Sequence, residues 1–251
     1  MKHTVKSPVF WQAVVGLATA VAAITAVVIS SRTLAANSEQ FAAQRQQQQQ
    51  QQASERFARA IDQLSSDKLE TRLGAIYSLE QLAFDSPRHQ PTVIEVITAY
   101  VRTHVPAGSG VCANRPVHDD VRKGNDEPNL ADPAVQGTPV ADDIDAAVDV
   151  LGRRAESNED IYVDLSDTCL AEMSLYGDLS SVAFYSTDLT GTYLVQMDLT
   201  HAIFQGADLT GAYLSDSNLD GANLSLADLD HSYLDGASLR EVFLDGSDLM
   251  R

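Results

Sequence analysis

ADLTGAYLSDSNLDGANLSLADLD, residues 207–230, has leucine at every fifth position. A large apolar residue keeps this spacing from Phe184 onward, and the residue two positions before it is nearly always small. A period of five fits neither the turn of an α-helix, about 3.6 residues, nor the alternation of a strand, so it indicates a repeat architecture. The large residues are Phe184, Leu189, Leu194, Leu199, Phe204, Leu209, Leu214, Leu219, Leu224, Leu229, Leu234, Leu239, Leu244 and Leu249.

The repeated triplets carry a family resemblance. Ala207-Asp208-Leu209, Ala222-Asn223-Leu224 and Ala227-Asp228-Leu229 resemble the A-[D/N]-L-x-x consensus of the pentapeptide-repeat family. The resemblance implies a right-handed quadrilateral β-helix, in which each five-residue unit forms one side and four units complete a coil. We therefore assign residues 161–251 to a solenoid whose interior is filled by stacked leucines and stacked small residues.

The regular units are preceded and interrupted by irregular ones. Weaker units are centred on Leu165, Leu170, Leu175 and Leu179, and the last step is four residues long, which predicts a shortened corner. The position for a small residue is occupied by a bulkier one at Val182, Thr192, Met197 and Val242, which predicts distorted sides.

A coil of twenty residues places like residues in columns. The position before the central leucine holds aspartate on one face and tyrosine on the next, at Asp188, Asp208, Asp228 and Asp248 and at Tyr193, Tyr213 and Tyr233. Each column should repeat at the spacing of hydrogen-bonded strands, about 4.8 Å. The aspartates either cap the local backbone at the corners or form a docking face, and the tyrosines either stiffen the solenoid by stacking or contact a partner.

The charge of the repeats indicates the class of partner. Residues 161–251 contain thirteen Asp and two Glu against two Arg, which is −13 of the chain's net charge of −18. Such an anionic surface repels nucleic acid and anionic lipid and attracts basic protein surfaces. We therefore expect a protein partner with a basic surface and no direct nucleic-acid binding.

The N-terminal part differs from the repeats. Val9–Ile29 carries no charge and, at about 1.5 Å per helical residue, is long enough to cross a bilayer, so residues 1–36 are predicted to be a tail and a single transmembrane anchor. A cleaved signal peptide is the alternative, because small residues follow in Thr33-Leu34-Ala35-Ala36. Basic residues on the two sides of the span are nearly balanced, so they do not decide its orientation. Residues 37–52, which end in a run of glutamines, are predicted to be a linker or a helical stalk.

Residues 53–106 show helical periodicity. Apolar stripes run through Phe57, Ala60, Ile61 and Leu64, through Leu69, Leu73, Ile76, Leu79 and Ala83, and, after Pro91, through Val93, Ile97, Tyr100 and Val101. This segment, including Arg56-Phe57, Ser66-Asp67-Lys68-Leu69 and Arg72-Leu73-Gly74, resembles the HEAT-like helical segment of actinobacterial membrane-anchored pentapeptide-repeat proteins. That resemblance implies a cytoplasmic repeat domain, although members of the family often have two membrane spans where this chain has one candidate.

Two segments connect the helices to the repeats. Residues 107–138 are rich in Gly, Pro, Asn and Asp and are predicted to be a loop or linker. Residues 139–160 contain an amphipathic stripe, Ile144, Ala147, Val148 and Leu151, and are predicted to be a capping helix and connection that covers the apolar end of the first coil.

The sequence contains no pattern that predicts catalysis. The six histidines lack metal-ligand spacing, and phosphate loops, nucleophile elbows and Cys-x-x-Cys are absent. We expect no catalytic residues, cofactor or metal site. Cys112 lies in the linker, and Cys169 is interpreted as an incidental thiol, although the two would be able to pair outside the cytoplasm.

Together these features predict an α+β chain made of a transmembrane helix, a small helical segment and a C-terminal β-helix. The favoured function is a membrane-tethered scaffold or protein-interaction module with an acidic face. The alternative, implied by the gyrase-protecting members of the family, is a DNA mimic that binds a basic DNA-handling protein such as gyrase. Because family members pair through open solenoid ends, we also expect a homodimer through the C-terminal coil.

Overall fold

A computed structural model describes Thr25 and residues 40–108, 112, 142–154 and 161–248. The chain divides into two compact units, Met1–Glu55 and Arg56–Arg251. In the first unit, residues 40–55 are helical and largely exposed, so the glutamine run lies on a helix. The predicted anchor, Val9–Ile29, lies outside the described residues except for Thr25, which is helical, and it stays a prediction.

Among the described helices, none combines the length and the apolar character that crossing a bilayer requires.

The second unit begins with a helical segment. Helix α1 covers residues 56–64 of this unit; it is followed by α2 (Leu69–Asp85), a 3₁₀ turn (Pro87–His89), α3 (Gln90–His104) and α4 (Asp142–Gly152). Pro91 lies in the first turn of α3, where its missing N–H costs nothing. Helix α4 packs against both α2 and α3.

The predicted stripes of α3 and α4 are buried in full, but that of α2 is displaced. In α2 the buried residues are Ala75, Ile76, Leu79 and Leu82, whereas the predicted Leu69, Leu73 and Ala83 are half-buried. Helix α2 contacts both α3 and α4, and Asp85 at its end pairs with Arg56 of α1 at 3.5 Å, so its buried residues are set by several neighbours and not by one.

A buried ion pair joins the three helices of this core. Arg72 Nε on α2 donates to Asp143 Oδ2 on α4 at 2.6 Å, and the Tyr100 hydroxyl on α3 donates to the same oxygen. Burial opposes ionisation of Asp143, but the hydrogen bonds from Arg72 and Tyr100 outweigh it and lower the pKa of the carboxyl. Burial and the hydrogen bond to Asp143 raise the pKa of Tyr100 to about 12.

Residues 161–248 form a solenoid of four-sided coils. Parallel bridges join residues twenty apart, as in Asp188 to Asp208 and Tyr193 to Tyr213. Within one such contact, Leu189 N–H donates to Asp208 O at 2.8 Å and Asp208 N–H donates to Thr187 O at 3.0 Å. The central leucines and phenylalanines from Leu165 to Leu229 are buried, and the Phe184 and Phe204 rings stack inside with centroids 5.1 Å apart. The predicted quadrilateral β-helix is therefore confirmed.

Each corner is a tight turn with one residue in the left-handed region. In the side that begins at Leu209, Ala212 N–H donates to Leu209 O at 2.9 Å, and Gly211 has a φ of 66°. The residue two after every described central residue, from Asp167 to Gly246, has a positive φ. A four-residue turn with positive φ at its third residue is of the type II kind, which favours glycine. The five-residue period therefore reflects a turn requirement as well as a packing requirement.

The first coil is one residue shorter than the others. Cys169 pairs with Asp188, nineteen residues on, whereas Asp188 pairs with Asp208, twenty residues on. The shortened corner predicted between Leu175 and Leu179 is confirmed by this change of spacing. The expected distortion is wrong at Val182, Thr192 and Met197, because all three are buried while their carbonyls accept cross-coil hydrogen bonds of 2.9 Å.

The short side of the first coil receives the end of α4. Asp178 N–H donates to Gly152 O at 2.8 Å, and Gly177, with a φ of 94°, packs directly against Gly152. Arg154 donates from Nη1 to Asp178 O at 2.7 Å and from Nη2 to Ser180 O at 2.8 Å. The last turn of α4 is thereby fixed to the solenoid by main-chain contacts that leave no space for a Cβ atom.

A disulfide makes a further connection between the linker and the solenoid. Cys112 and Cys169 are bonded, with their Cα atoms 6.1 Å apart. The interpretation of Cys169 as an incidental thiol is therefore wrong. The two cysteines are 57 residues apart in sequence. In the chain-entropy treatment, closing a loop of that size lowers the entropy of the unfolded chain and raises its free energy by about 4 kcal/mol.

We predict that Gly152→Ala destabilises the second unit by about 1–3 kcal/mol, because the new Cβ would clash with the carbonyl oxygen of Tyr176 and the backbone would have to move. Gly74→Ala is the matched control, since a Cβ there meets nothing within 4 Å and alanine favours a helix interior. Urea unfolding of the two variants should shift the midpoint in opposite directions. Equal midpoints would contradict the close approach of α4 to the first coil.

Candidate protein-interaction faces

The acidic column, Asp188, Asp208, Asp228 and Asp248, lies on one face of the solenoid. Its members are joined in order by parallel bridges, so the structure brings together all four predicted residues. Asp208, Asp228 and Asp248 are exposed, and Asp188 is half-buried. Cys169 precedes Asp188 in the same series of bridges, so the disulfide is at the head of the column.

The carboxylates of this column also stabilise the corners. Oδ1 of Asp188 accepts a hydrogen bond from the N–H of Thr190 at 3.1 Å. Asp208 and Asp228 make the same contact with the residue two positions on, at 3.0 and 2.9 Å. The interpretation of the aspartates as backbone caps is therefore confirmed for these three residues.

Capping does not require the negative charge. Asn218 Oδ1 accepts the equivalent bond from Asp220 N–H at 3.2 Å, and Asn223 Oδ1 does so from Ser225 N–H at 3.0 Å. A neutral amide thus serves the same turn elsewhere in the solenoid. Stacked carboxylates repel one another by about 1 kcal/mol per pair in water. The fold therefore accounts for a short polar acceptor at these positions, but not for four successive charges.

The tyrosine column, Tyr193, Tyr213 and Tyr233, lies on the next face. The rings stack with centroids 4.4 and 4.7 Å apart and interplanar angles of 7° and 3°. Tyr193 is 8% exposed and the other two are half-buried. Burial raises the pKa of the Tyr193 hydroxyl above its ordinary range, with a contribution from Tyr213, and burial also raises the pKa of Tyr213. Stacking and burial support the stiffening interpretation, so the aromatic column offers less surface to a partner than the acidic one.

Two exposed aromatic residues of α2 are the features that the sequence pattern did not predict. Tyr77 and Phe84 on α2 are 50% and 83% exposed. Leu239, Phe243 and Leu244 of the last described coil are also exposed, although the corresponding residues of earlier coils are buried or half-buried. The signal for Tyr77 and Phe84 was their position outside the apolar stripe of α2.

One group in the described part of the chain has the donor atoms of a metal site. Cys112, Cys169 and Asp188 place their ligand atoms within 4.8 Å of one another. The two sulfurs are bonded to each other, so they are not thiolate ligands in this state. Asp188 consequently belongs both to the acidic column and to the surroundings of the disulfide.

The sequence of the solenoid matches one family model. Eight copies of the model for pentapeptide repeats match residues 178–216 and 212–251. This part of the chain consists of pentapeptide repeats. The match indicates no catalytic family, and none of the curated proteins is significantly similar to the chain.

Several solved structures, two of them pentapeptide-repeat proteins, are similar to about a third of the chain. Rfr23 from the cyanobacterium Cyanothece 51142 is 42% identical, with a TM-score of 0.34, over 34% of this chain and 59% of that one. A thylakoid-lumen protein of Arabidopsis thaliana is 25% identical, with a TM-score of 0.33, over 34% of this chain and 61% of that one. The plasmid-mediated fluoroquinolone resistance protein QnrB1 is 20% identical, with a TM-score of 0.14, over 34% of this chain and 57% of that one. The chain spans about six tenths of the length of each of these structures.

The raised pKa of Tyr193 predicts a loss of stability at high pH. A hydroxyl whose pKa is higher in the folded state stabilises the fold below its unfolded pKa, and that contribution is lost as pH rises through the folded value. Tyr193→Phe keeps the ring stack and removes the titrating hydroxyl, so its melting temperature should fall less than that of the parent between pH 9 and 11. Tyr176→Phe, at a tyrosine that is 64% exposed, is the control. Parallel curves for the parent and Tyr193→Phe would contradict this prediction.

Proposed function

We propose that the protein is a membrane-tethered interaction module whose pentapeptide-repeat segment docks a basic protein surface on the acidic column. The observation that carries the proposal is that the turns of the acidic column do not need the negative charge of aspartate. Asn218 and Asn223 form the same turns with a neutral side chain. Electrostatic complementarity speeds association and selects partners, which are the properties a scaffold requires. The membrane tether rests on the uncharged Val9–Ile29 segment.

A DNA mimic that binds a basic DNA-handling protein such as gyrase is the second candidate. The observation in its favour is the net charge of the repeats, thirteen Asp and two Glu against two Arg. The predicted membrane anchor would favour the scaffold instead, because a tethered chain reaches only partners at the membrane. The parent protein should therefore not inhibit a DNA topoisomerase, and inhibition would favour the mimic.

The acidic column is tested by changing its four aspartates to asparagine together. Asparagine keeps the oxygen that accepts the turn hydrogen bond, so the melting temperature should stay the same or rise slightly as repulsion is relieved. Partner binding should weaken by tenfold or more, and its dependence on salt should become flatter. The partner is first identified by photocrosslinking in native membranes, with the crosslinker placed either at Gln205 or at Ser215. Gln205 lies on a corner that borders the acidic face, and Ser215 lies on a corner of the opposite face. We expect the crosslinker at Gln205 to capture the partner and the one at Ser215 not to capture it.

The control for the column variant removes the same number of charges elsewhere. Glu55, Asp62, Glu70 and Glu95 are all exposed and lie on the helical segment. Their amide variants should retain binding and its salt dependence. Asp143, although acidic, is unsuitable as a control because its ion pair with Arg72 is buried. If the column variant binds like the parent and changes at Tyr193, Tyr213 and Tyr233 abolish binding, the aromatic face is the interface.

We also propose that the C-terminal coil forms a homodimer. Leu239, Phe243 and Leu244 are 42%, 60% and 40% exposed, and burying them against a second copy would remove apolar surface from water. Sedimentation of residues 53–251 should show a dimer that dissociates on dilution, and Phe243→Lys should weaken it. Leu226→Lys, on a corner and 63% exposed, is the control. A monomer at every concentration would refute the dimer.

A further inference from the structure

The disulfide joins two segments that main-chain contacts already bring together. Pro106 forms an antiparallel bridge with Thr168, Ala107 N–H donates to Asp167 O at 2.7 Å, and Cys169 N–H donates to Val105 O at 2.8 Å. Cys112 follows this docked stretch by a few residues. Cys169 is held rigidly, since it is 1% exposed and paired with Asp188 of the next coil. The two thiols are therefore placed for bonding by the fold itself.

The cysteine content of the chain agrees with a structural disulfide. The sequence has two cysteines in 251 residues, and both are in this bond. Disulfides of this kind persist in oxidising compartments, whereas cytosolic thiols are kept reduced. Formation converts two thiols to one disulfide and transfers two protons and two electrons to an oxidant, which in such compartments is a protein disulfide oxidoreductase.

We propose that residues 56–248 lie in an oxidising compartment outside the cytoplasm, where the Cys112–Cys169 bond permanently fastens the start of the linker to the head of the acidic column. This assignment replaces the cytoplasmic location that the family resemblance implies. With the predicted anchor Val9–Ile29, it requires the N-terminus to lie in the cytoplasm, since one membrane helix then delivers the rest of the chain to the other side. The basic partner of the acidic column then lies on that side too, so this part of the inference rests on the proposed function.

The first experiment measures the redox state of the native cysteines in the full-length protein. Intact cells are quenched with acid and treated with a permeant alkylating reagent; the protein is then reduced and treated with a second reagent of different mass. We expect Cys112 and Cys169 to take only the second reagent, and an unreduced digest to contain the two peptides linked. Modification of both residues by the first reagent would overturn the proposal. Reduced cysteines together with one zinc ion per chain would also overturn it, and would identify Cys112, Cys169 and Asp188 as a metal site.

The second experiment determines the side of the membrane. The change Phe84→Cys, at a side chain that is 83% exposed, is made in a chain with Cys112→Ser and Cys169→Ser. A membrane-impermeant maleimide should label it in intact cells to the same extent as after lysis, and labelling only after lysis would overturn the proposal. If the serine variants do not fold, the proposal is tested by the redox state of Cys112 and Cys169 in the native chain alone. The docking proposal is tested with the four-asparagine variant, which keeps both cysteines, and the compartment proposal is tested with the cysteines themselves. A failure of the docking proposal therefore leaves the results on the compartment unchanged.

Discussion

Backbone hydrogen bonds between successive coils are the interaction on which the solenoid depends. Each side both donates to and accepts from the two neighbouring coils: Asp208 N–H donates to Thr187 O of the preceding coil and Leu209 N–H donates to Asp228 O of the following one, so main-chain groups near the interior are paired without long strands. The bridges join residues nineteen apart in the first coil and twenty apart in the later ones, and the central residues from Leu165 to Leu229 stay buried throughout. The stack of buried leucines and phenylalanines holds that register, and Phe184 over Phe204 is its largest aromatic contact.

The first coil of the solenoid is one residue shorter than the later coils and still keeps its central residues buried. The first coil loses one residue, and the loss occurs at the side where Gly177 meets Gly152 of α4. The shortened corner thus makes room for a helix end at the main-chain level. On the helical side, the Arg72–Asp143 pair ties α4 to α2, and the residues that follow α3 reach the first coil separately, where Cys169 N–H donates to Val105 O at 2.8 Å.

The aspartates of the acidic column have two roles: they accept a hydrogen bond at the corner, and they carry a negative charge. A short side-chain oxygen at the position before the central residue satisfies the N–H of the corner, and aspartate or asparagine provides it equally. The charge is added to this structural role and repeats from coil to coil along one face. A solenoid therefore converts a local turn requirement into a linear array of carboxylates, whose field a basic partner would neutralise.

The sequence by itself determined the solenoid, its register and its columns, because a strict period of five leaves one way to bury the leucines and repeats every exposed residue at twenty. It also indicated α3, α4 and the short first coil. Only the tertiary structure decided the rest. The buried face of α2 depends on three neighbouring helices, and the bulky Val182, Thr192 and Met197 are accommodated by contacts that no local pattern encodes. The Cys112–Cys169 bond depends on a linker returning across 57 residues, and such contacts between distant segments arise from packing and not from periodicity.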